Sequence, residues 1–192
     1  MAQRIEAVVW DIGRVLVQWD MRILIRKLIH DEAEVEWVFA HVVSEAWHAQ
    51  HDAGRPIADM VAERSAEFPR YAPVIRAYAD RFNETIPGPV PGSADLLEAL
   101  YARSVPLYAI TNFGADTWAR FRPTFAIADR FRDIVVSGVE QLAKPDPAIY
   151  ALAQRRFGHD PAAMLFIDDS LANVTSARGC GASAWASSSR AS

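Results

Sequence analysis

A chain of 192 residues, 51% hydrophobic and 23% charged with a net charge of −4, has the balance of a soluble globular protein and the length to bury a core without disulfides. The slight acidic excess argues against a nucleic-acid surface, which usually carries a basic excess. Cys180 is the only cysteine, which excludes an intramolecular disulfide and a cysteine-based metal site. No stretch approaches the roughly 18 apolar residues of a membrane span, and the apolar run behind Arg4 and Glu6 is too short for a signal peptide. The expectation is a cytoplasmic protein without membrane or nucleic-acid partners, with monomer and homodimer both open.

The first element is Ala7 to Trp10, an apolar run that reads as a buried strand of a parallel sheet. It ends in Asp11, at the edge where open α/β sheets bind ligands, and Gly13 then allows a sharp turn. From about Met21 to Arg81 the pattern is helical. Val35, Val38, Phe39, Val42, Val43, Ala46 and Trp47 fall at the three-and-four spacing of an amphipathic helix. Ile57, Met60, Val61 and Ala62, then Tyr71, Val74, Ile75 and Tyr78, supply two further stripes, broken by Gly54-Arg55-Pro56, Pro69 and Pro73.

Pro87 to Gly92 marks a boundary, because so many prolines and glycines can continue neither helix nor central strand. Ser93 is expected to cap a helix with Leu96, Leu97 and Leu100 as its apolar positions. Strands and helices then alternate: a strand at Val105 to Ile110, another at Phe131 to Val136, a helix at Pro147 to Phe157, a strand at Met164 to Ile167, a helix at Leu171 to Cys180 and an edge strand at Ser183 to Ala186. Such alternation predicts an α/β fold, a Rossmann-like doubly wound parallel sheet, here with an all-helical insertion after its first strand. The tail, Ser187 to Ser192, is expected to be disordered.

Three apolar strands thus end in Asp11, in Thr111-Asn112 and in Asp168-Asp169, and a parallel sheet brings those ends to one edge. Lys144 precedes the helix leading to the third of them. Clustered carboxylates repel one another unless a cation holds them, and oxygen ligands favour Mg²⁺. A hydroxyl on Thr111, an N–H on Asn112 and the compact charge of Lys144 suit a phosphoryl group, and a carboxylate can attack phosphorus. Each residue also has a plainer role: Thr111-Asn112 and Asp168-Asp169 as helix caps, Lys144 as a solvated surface lysine.

Val9-Trp10-Asp11-Ile12-Gly13, Ile110-Thr111-Asn112, Lys144-Pro145-Asp146-Pro147 and Phe166-Ile167-Asp168-Asp169-Ser170 together resemble the four motifs of the haloacid dehalogenase-like hydrolase superfamily. Ser137-Gly138 and Leu171-Ala172-Asn173 are similar to the branch holding sugar-phosphate phosphatases and the N-terminal phosphatase domain of soluble epoxide hydrolase. The resemblance implies a core domain, 1–18 and 88–192, with a helical cap at 19–87. It implies a Mg²⁺-dependent phosphatase acting on a small phosphorylated metabolite through an aspartyl-phosphate. Asp11 would be nucleophile and metal ligand, the Gly13 carbonyl and Asp169 further ligands, and Asp168 close by through water. Thr111 and the Asn112 amide would hold the phosphoryl group, Lys144 would neutralise it, and Asn173 would orient the metal loop.

One position departs from that pattern. Most phosphatases of the family carry a second aspartate two residues after the nucleophile, as general acid and base, where this chain has Gly13. Such a group commonly contributes roughly 10²–10⁴-fold. A branch resembling bacterial glucose-1-phosphate phosphatases also has glycine there, so activity can survive. Arg14 follows, as a substrate contact or a solvent-facing residue. His48, His51 and Asp52 are the cap residues that could replace the lost group, with a polar helix end facing water as the favoured alternative. Gly13 also keeps open a 2-haloacid dehalogenase, which works without metal, and a non-catalytic binding protein on the same fold.

Overall fold

The computed structural model describes residues 4–186; the tail expected to be disordered lies outside them. Five strands, β1 (Ala7–Trp10), β2 (Leu107–Thr111), β3 (Asp133–Val136), β4 (Met164–Asp168) and β5 (Ser183–Ala186), form one parallel sheet in the order β3-β2-β1-β4-β5. The central strand pairs on both sides, Val9 standing opposite Tyr108 on β2 and Phe166 on β4. The chain runs outward from β1 to β3, then returns to place β4 on the other side of β1. The C-terminal ends of β1 and β4 therefore flank the point where the winding reverses, and a crevice opens there.

Between β1 and the Pro87–Gly92 boundary the chain forms α1 (Arg22–Ile25), α2 (Glu32–His41), α3 (Glu45–Asp52), α4 (Ile57–Glu67) and α5 (Ala72–Asp80). The stripe from Val35 to Trp47 does not form one helix. Ser44 starts a new one, its hydroxyl accepting from the Trp47 N–H at 3.1 Å, and the chain turns there. Val35, Val38, Val42, Val43 and Trp47 are still buried, while Ala46 is exposed. In the α4 stripe only Met60 is fully inside, whereas Val74, Ile75 and Tyr78 on α5 are all buried.

The remaining helices are α6 (Ser93–Ala102), α7 (Ala115–Phe121), α8 (Ser137–Glu140), α9 (Pro147–Phe157) and α10 (Leu171–Gly179). Ser93 is the first residue of α6 rather than its cap, and its hydroxyl donates to the Val90 carbonyl at 2.8 Å. Leu97 alone of the three leucines is buried, and Leu96 is 49% exposed. The strand expected from Val105 starts at Leu107, because Pro106 has no N–H to give the ladder. Phe131 and Arg132 likewise precede β3.

Alternation along β1 divides the apolar core in two. Val8 and Trp10 face a cluster that includes Leu107 and Ala109 and also Val35, Val38, Trp47, Met60, Ile75 and Tyr78 of the helical insertion. Ala7 and Val9 face the other side, packed with Ile149, Tyr150, Phe157 and Phe166. One face of the sheet and the insertion thus share a continuous apolar core, which seats α3 beside the strand ends. Among the described residues no helix is long and apolar enough to cross a membrane.

Candidate active site

Asp11 continues β1 by one residue, its N–H donating to the Ile167 carbonyl at 2.8 Å, and the next N–H, of Ile12, donates to its carboxylate at 2.7 Å. Lys144 is buried rather than solvated. Its ammonium lies 2.8 Å from Asp11 Oδ1 and 2.7 Å from Asp168 Oδ2, bridging the ends of β1 and β4. The Asn112 side chain clasps the Lys144 main chain at both ends, accepting from its N–H at 2.8 Å and donating to its carbonyl at 2.9 Å. That clasp joins residues 32 positions apart and has no signature in the sequence.

Asp168 is fully buried, and its carboxylate is saturated by protein donors. Besides Lys144 it accepts from the Ser170 N–H at 2.8 Å and from the Asn173 amide at 3.0 and 3.1 Å. Ser170 caps α10, so the cap that Asp168-Asp169 could have supplied comes from the next residue. Burial pushes Asp11 up to about 7, against the pull of Lys144 and with added repulsion from Asp168 and Asp169. Burial and Asp168 likewise raise Asp169. Burial alone would lower the Lys144 ammonium, but Asp11 and Asp168 outweigh it and raise its pKa above the ordinary lysine value.

Oxygen atoms of Asp11, Asp168 and Asp169 all lie within 4.8 Å of one another. Clustered carboxylates that repel one another suit a small divalent cation such as Mg²⁺, whose charge would relieve the repulsion. Asp11 and Asp169 would face it, and Asp168, its oxygens already taken by protein donors, would add charge from behind. The residues present therefore fit the metal that the motifs imply. Asp11 and Asp169 border a cavity of about 230 Å³ that Gly13, Asn112, Lys144 and Asn173 also line on the sheet side. Arg14, Trp19, Glu45, His48, Ala49 and Asp52 close it from the other. Thr111 ends β2 beside Asn112 but is buried and does not line the cavity.

Gly13 does not hold the special backbone conformation expected of it. The residue with positive φ in this loop is Arg14, at 59°, and a Cβ built on Gly13 would meet nothing within 4 Å. Glycine here is a chemical absence and not a steric need. Arg14 is partly exposed, and its charge opposes the rise in the Asp169 pKa. Its guanidinium pairs with Glu45 and sits 4.7 Å from the centre of the Trp19 ring, at the cavity wall.

The end of α3 also departs from expectation, because His48, His51 and Asp52 are buried and not a polar terminus facing water. His48 lines the cavity, with Nδ1 2.8 Å from the Tyr78 hydroxyl. Burial, with His51 and Arg14, lowers its pKa to about 3, so its ring is neutral near pH 7 and not a cationic acid. His51 turns away, its Nδ1 2.9 Å from the Arg55 carbonyl and its Nε2 3.3 Å from Thr117 Oγ1. A Cβ on Gly114 would stand 2.0 Å from the His51 ring, so glycine there lets α3 lie flush against the sheet domain. Gly114→Ala is expected to destabilise by about 1–3 kcal/mol through overpacking. Urea unfolding checks it, and an unchanged midpoint would contradict the contact.

Fold and site together define a class: a parallel α/β protein with a carboxylate-and-lysine centre where its winding reverses. The chain belongs to the haloacid dehalogenase-like hydrolase family, whose model matches residues 5–181. An N-acetylmuramic acid 6-phosphate phosphatase of Pseudomonas aeruginosa is 28% identical over 120 residues, 61% of this chain and 53% of that protein. The chain thus matches about half the length of that curated relative. A HAD family enzyme of Bacteroides thetaiotaomicron, solved with magnesium and inorganic phosphate, superposes with a TM-score of 0.75 at 22% identity, covering 98% of this chain and 96% of that one. The L-2-haloacid dehalogenase of Xanthobacter autotrophicus superposes with a TM-score of 0.62 at 17% identity over 94% of this chain and 76% of its own.

Proposed function

We propose that this hydrolase removes the phosphoryl group from a small phosphorylated metabolite, such as a sugar phosphate, in the cytoplasm. The observation that carries the reading is the buried Lys144 ammonium bridging Asp11 and Asp168 beside a cavity that Asp169 also lines. A lone cation between two carboxylates at the end of a central strand is costly to build for stability alone. It is well placed to neutralise an incoming phosphoryl group. The phosphatase relative and the neighbour solved with magnesium and phosphate support the same reading.

Residues 19–87 then act as a cap over a core of 1–18 and 88–192. Asp11 attacks phosphorus and the ester oxygen leaves, and water afterwards cleaves the aspartyl-phosphate. The Asn112 N–H holds a phosphoryl oxygen, Thr111 stands behind it outside the cavity lining, and Lys144 offsets the charge spreading over the group. Asp11, the Gly13 carbonyl and Asp169 would hold Mg²⁺, with Asp168 behind them, orienting Lys144 and kept in place by Asn173. Bound there, the metal supplies positive charge to the transferring group. The cavity, at about 230 Å³, lies below the roughly 300–1,000 Å³ of typical small-molecule sites, in keeping with a compact substrate.

The absence of a second aspartate at Gly13 favours one other reading, a metal-independent haloacid dehalogenase. The acidic pair Asp168-Asp169 weighs against it. The test is to assay the purified protein against sugar phosphates and 2-haloacids, with Mg²⁺ and with EDTA. Phosphate release that requires Mg²⁺ is expected. Halide release insensitive to EDTA would replace the reading with the dehalogenase, and silence in every assay would leave a binding protein.

A further inference from the structure

If this chain is a phosphatase, some group must give a proton to the leaving oxygen and take one from the attacking water, and Gly13 cannot. The titratable groups lining the cavity are few. Asp11 and Asp169 belong to the metal set, and Lys144 is held between carboxylates. Glu45 is paired with Arg14, and His48 is a neutral ring tied to Tyr78. Asp52 remains. It is the last residue of α3, 8% exposed, and its Oδ1 has no hydrogen-bond partner although it is buried. His48 Nε2 stands 3.3 Å from that oxygen but is not aligned to donate to it. Asp52 is also anchored from the core side, its main-chain carbonyl accepting from Ser137 Oγ at 2.6 Å across 85 positions of sequence. An unpartnered buried carboxyl oxygen on a pinned helix end is a cost that function can explain.

We propose that Asp52, reaching in from the helical insertion, is the general acid and base of the reaction, in place of the aspartate missing at position 13. The role rests on the phosphatase reading. In the first step an Asp11 oxygen forms a bond to phosphorus as the P–O bond to the substrate breaks, and the Asp52 carboxyl gives its proton to the departing oxygen. In the second, the Asp52 carboxylate takes a proton from water as that water's oxygen bonds to phosphorus and the P–O bond to Asp11 breaks. Alcohol and phosphate leave, and Asp52 is protonated again.

The surroundings suit both halves. Burial pushes Asp52 up to about 7, the Gly114 main chain and Lys144 pulling it down and Asp11 adding to the rise. A carboxyl poised near neutrality can give and take a proton in turn. His48 and Tyr78, the other titratable groups facing it, stay uncharged: burial keeps the His48 ring deprotonated and holds the Tyr78 hydroxyl well above its usual value.

The test compares wild type, Asp52→Asn and the double variant Asp52→Asn/Gly13→Asp on phenyl phosphate and p-nitrophenyl phosphate, with Mg²⁺. Phenolate leaves poorly without a proton, whereas nitrophenolate scarcely needs one. Asp52→Asn is expected to lower kcat/KM on phenyl phosphate by about 10²–10⁴-fold and on p-nitrophenyl phosphate by much less. The double variant should recover much of the loss, since position 13 has room for a side chain. Stability gives a readout independent of turnover. With a folded value of about 7 against 3.8, Asp52 keeps its proton longer in the native state, so the stability it contributes is complete below about 3.8 and is lost as pH rises toward 7. Chelated wild type should therefore lose stability relative to Asp52→Asn over that window. Equal losses on both esters without rescue at position 13, or a fully active Asp52→Asn, would overturn the role and leave the phosphatase reading intact. A wild type inert on both esters and on the sugar phosphates would overturn both.

Discussion

Lys144→Met is expected to reduce phosphate release to background and to destabilise the protein by about 3–5 kcal/mol, the cost of removing one partner from a buried ion pair. The side chain is 1% exposed, and its Nζ touches Asp11 at 2.8 Å and Asp168 at 2.7 Å. Methionine fills a similar volume against Phe166, whose ring centre lies 5.5 Å from the ammonium, so packing changes little. What is lost is the cation, which leaves two buried carboxylates facing each other. Urea unfolding of the EDTA-treated protein measures the cost. Mg²⁺ should restore part of it by binding the native state alone, raising stability with metal concentration. A variant within about 0.5 kcal/mol of the parent, the scale of an ordinary surface substitution, would show that Lys144 does not hold the centre together. Lys144→Arg is not expected to rescue, because a planar fork cannot replace a point charge between two oxygens already in place.

Asp11→Asn is expected to abolish turnover while leaving the fold intact. The amide oxygen can still accept from the Ile12 N–H, and Lys144 keeps its contact with Asp168. What the substitution removes is the nucleophile, so the loss should reach the roughly 10⁶-fold scale seen when a covalent catalyst loses its attacking group. Rapid acid quench of the wild type with substrate should trap phosphate on the peptide containing Asp11, and the variant should trap none. Turnover within tenfold of the parent, or trapped phosphate elsewhere, would remove Asp11 from the centre of the mechanism. Circular dichroism and the thermal midpoint separate this result from simple unfolding, since a folded but silent variant is the expected outcome.

The likeness to two families of reaction on one fold gives Gly13 its interest. A phosphatase and a haloacid dehalogenase can share one fold, so function is decided by a few side chains at the strand ends. Here the acidic pair suits metal and phosphate, while Gly13, two residues after Asp11, leaves the proton carrier to come from the helices above.

The strands and the motif residues at their ends were legible because apolar runs and abrupt polar stops are local signals. Ala7 to Trp10 and Pro147 to Phe157 form the elements that their patterns predict. Asp11, Asn112, Lys144 and Asp169 meet around one cavity because parallel order sends every strand end to the same edge. Local pattern was silent or misleading wherever a residue's surroundings come from distant chain. It read the end of α3 as solvated because His48, His51 and Asp52 are polar, yet tertiary packing buries them under Tyr78, Phe82 and Gly114. It assigned Gly13 a backbone role that the loop gives to Arg14. It could not foresee Asn112 clasping Lys144, nor Ser137 anchoring Asp52. Side-chain type and spacing specify which face of an element turns inward; only the packed structure decides what that face meets, and therefore which carboxyl loses its water and keeps its proton.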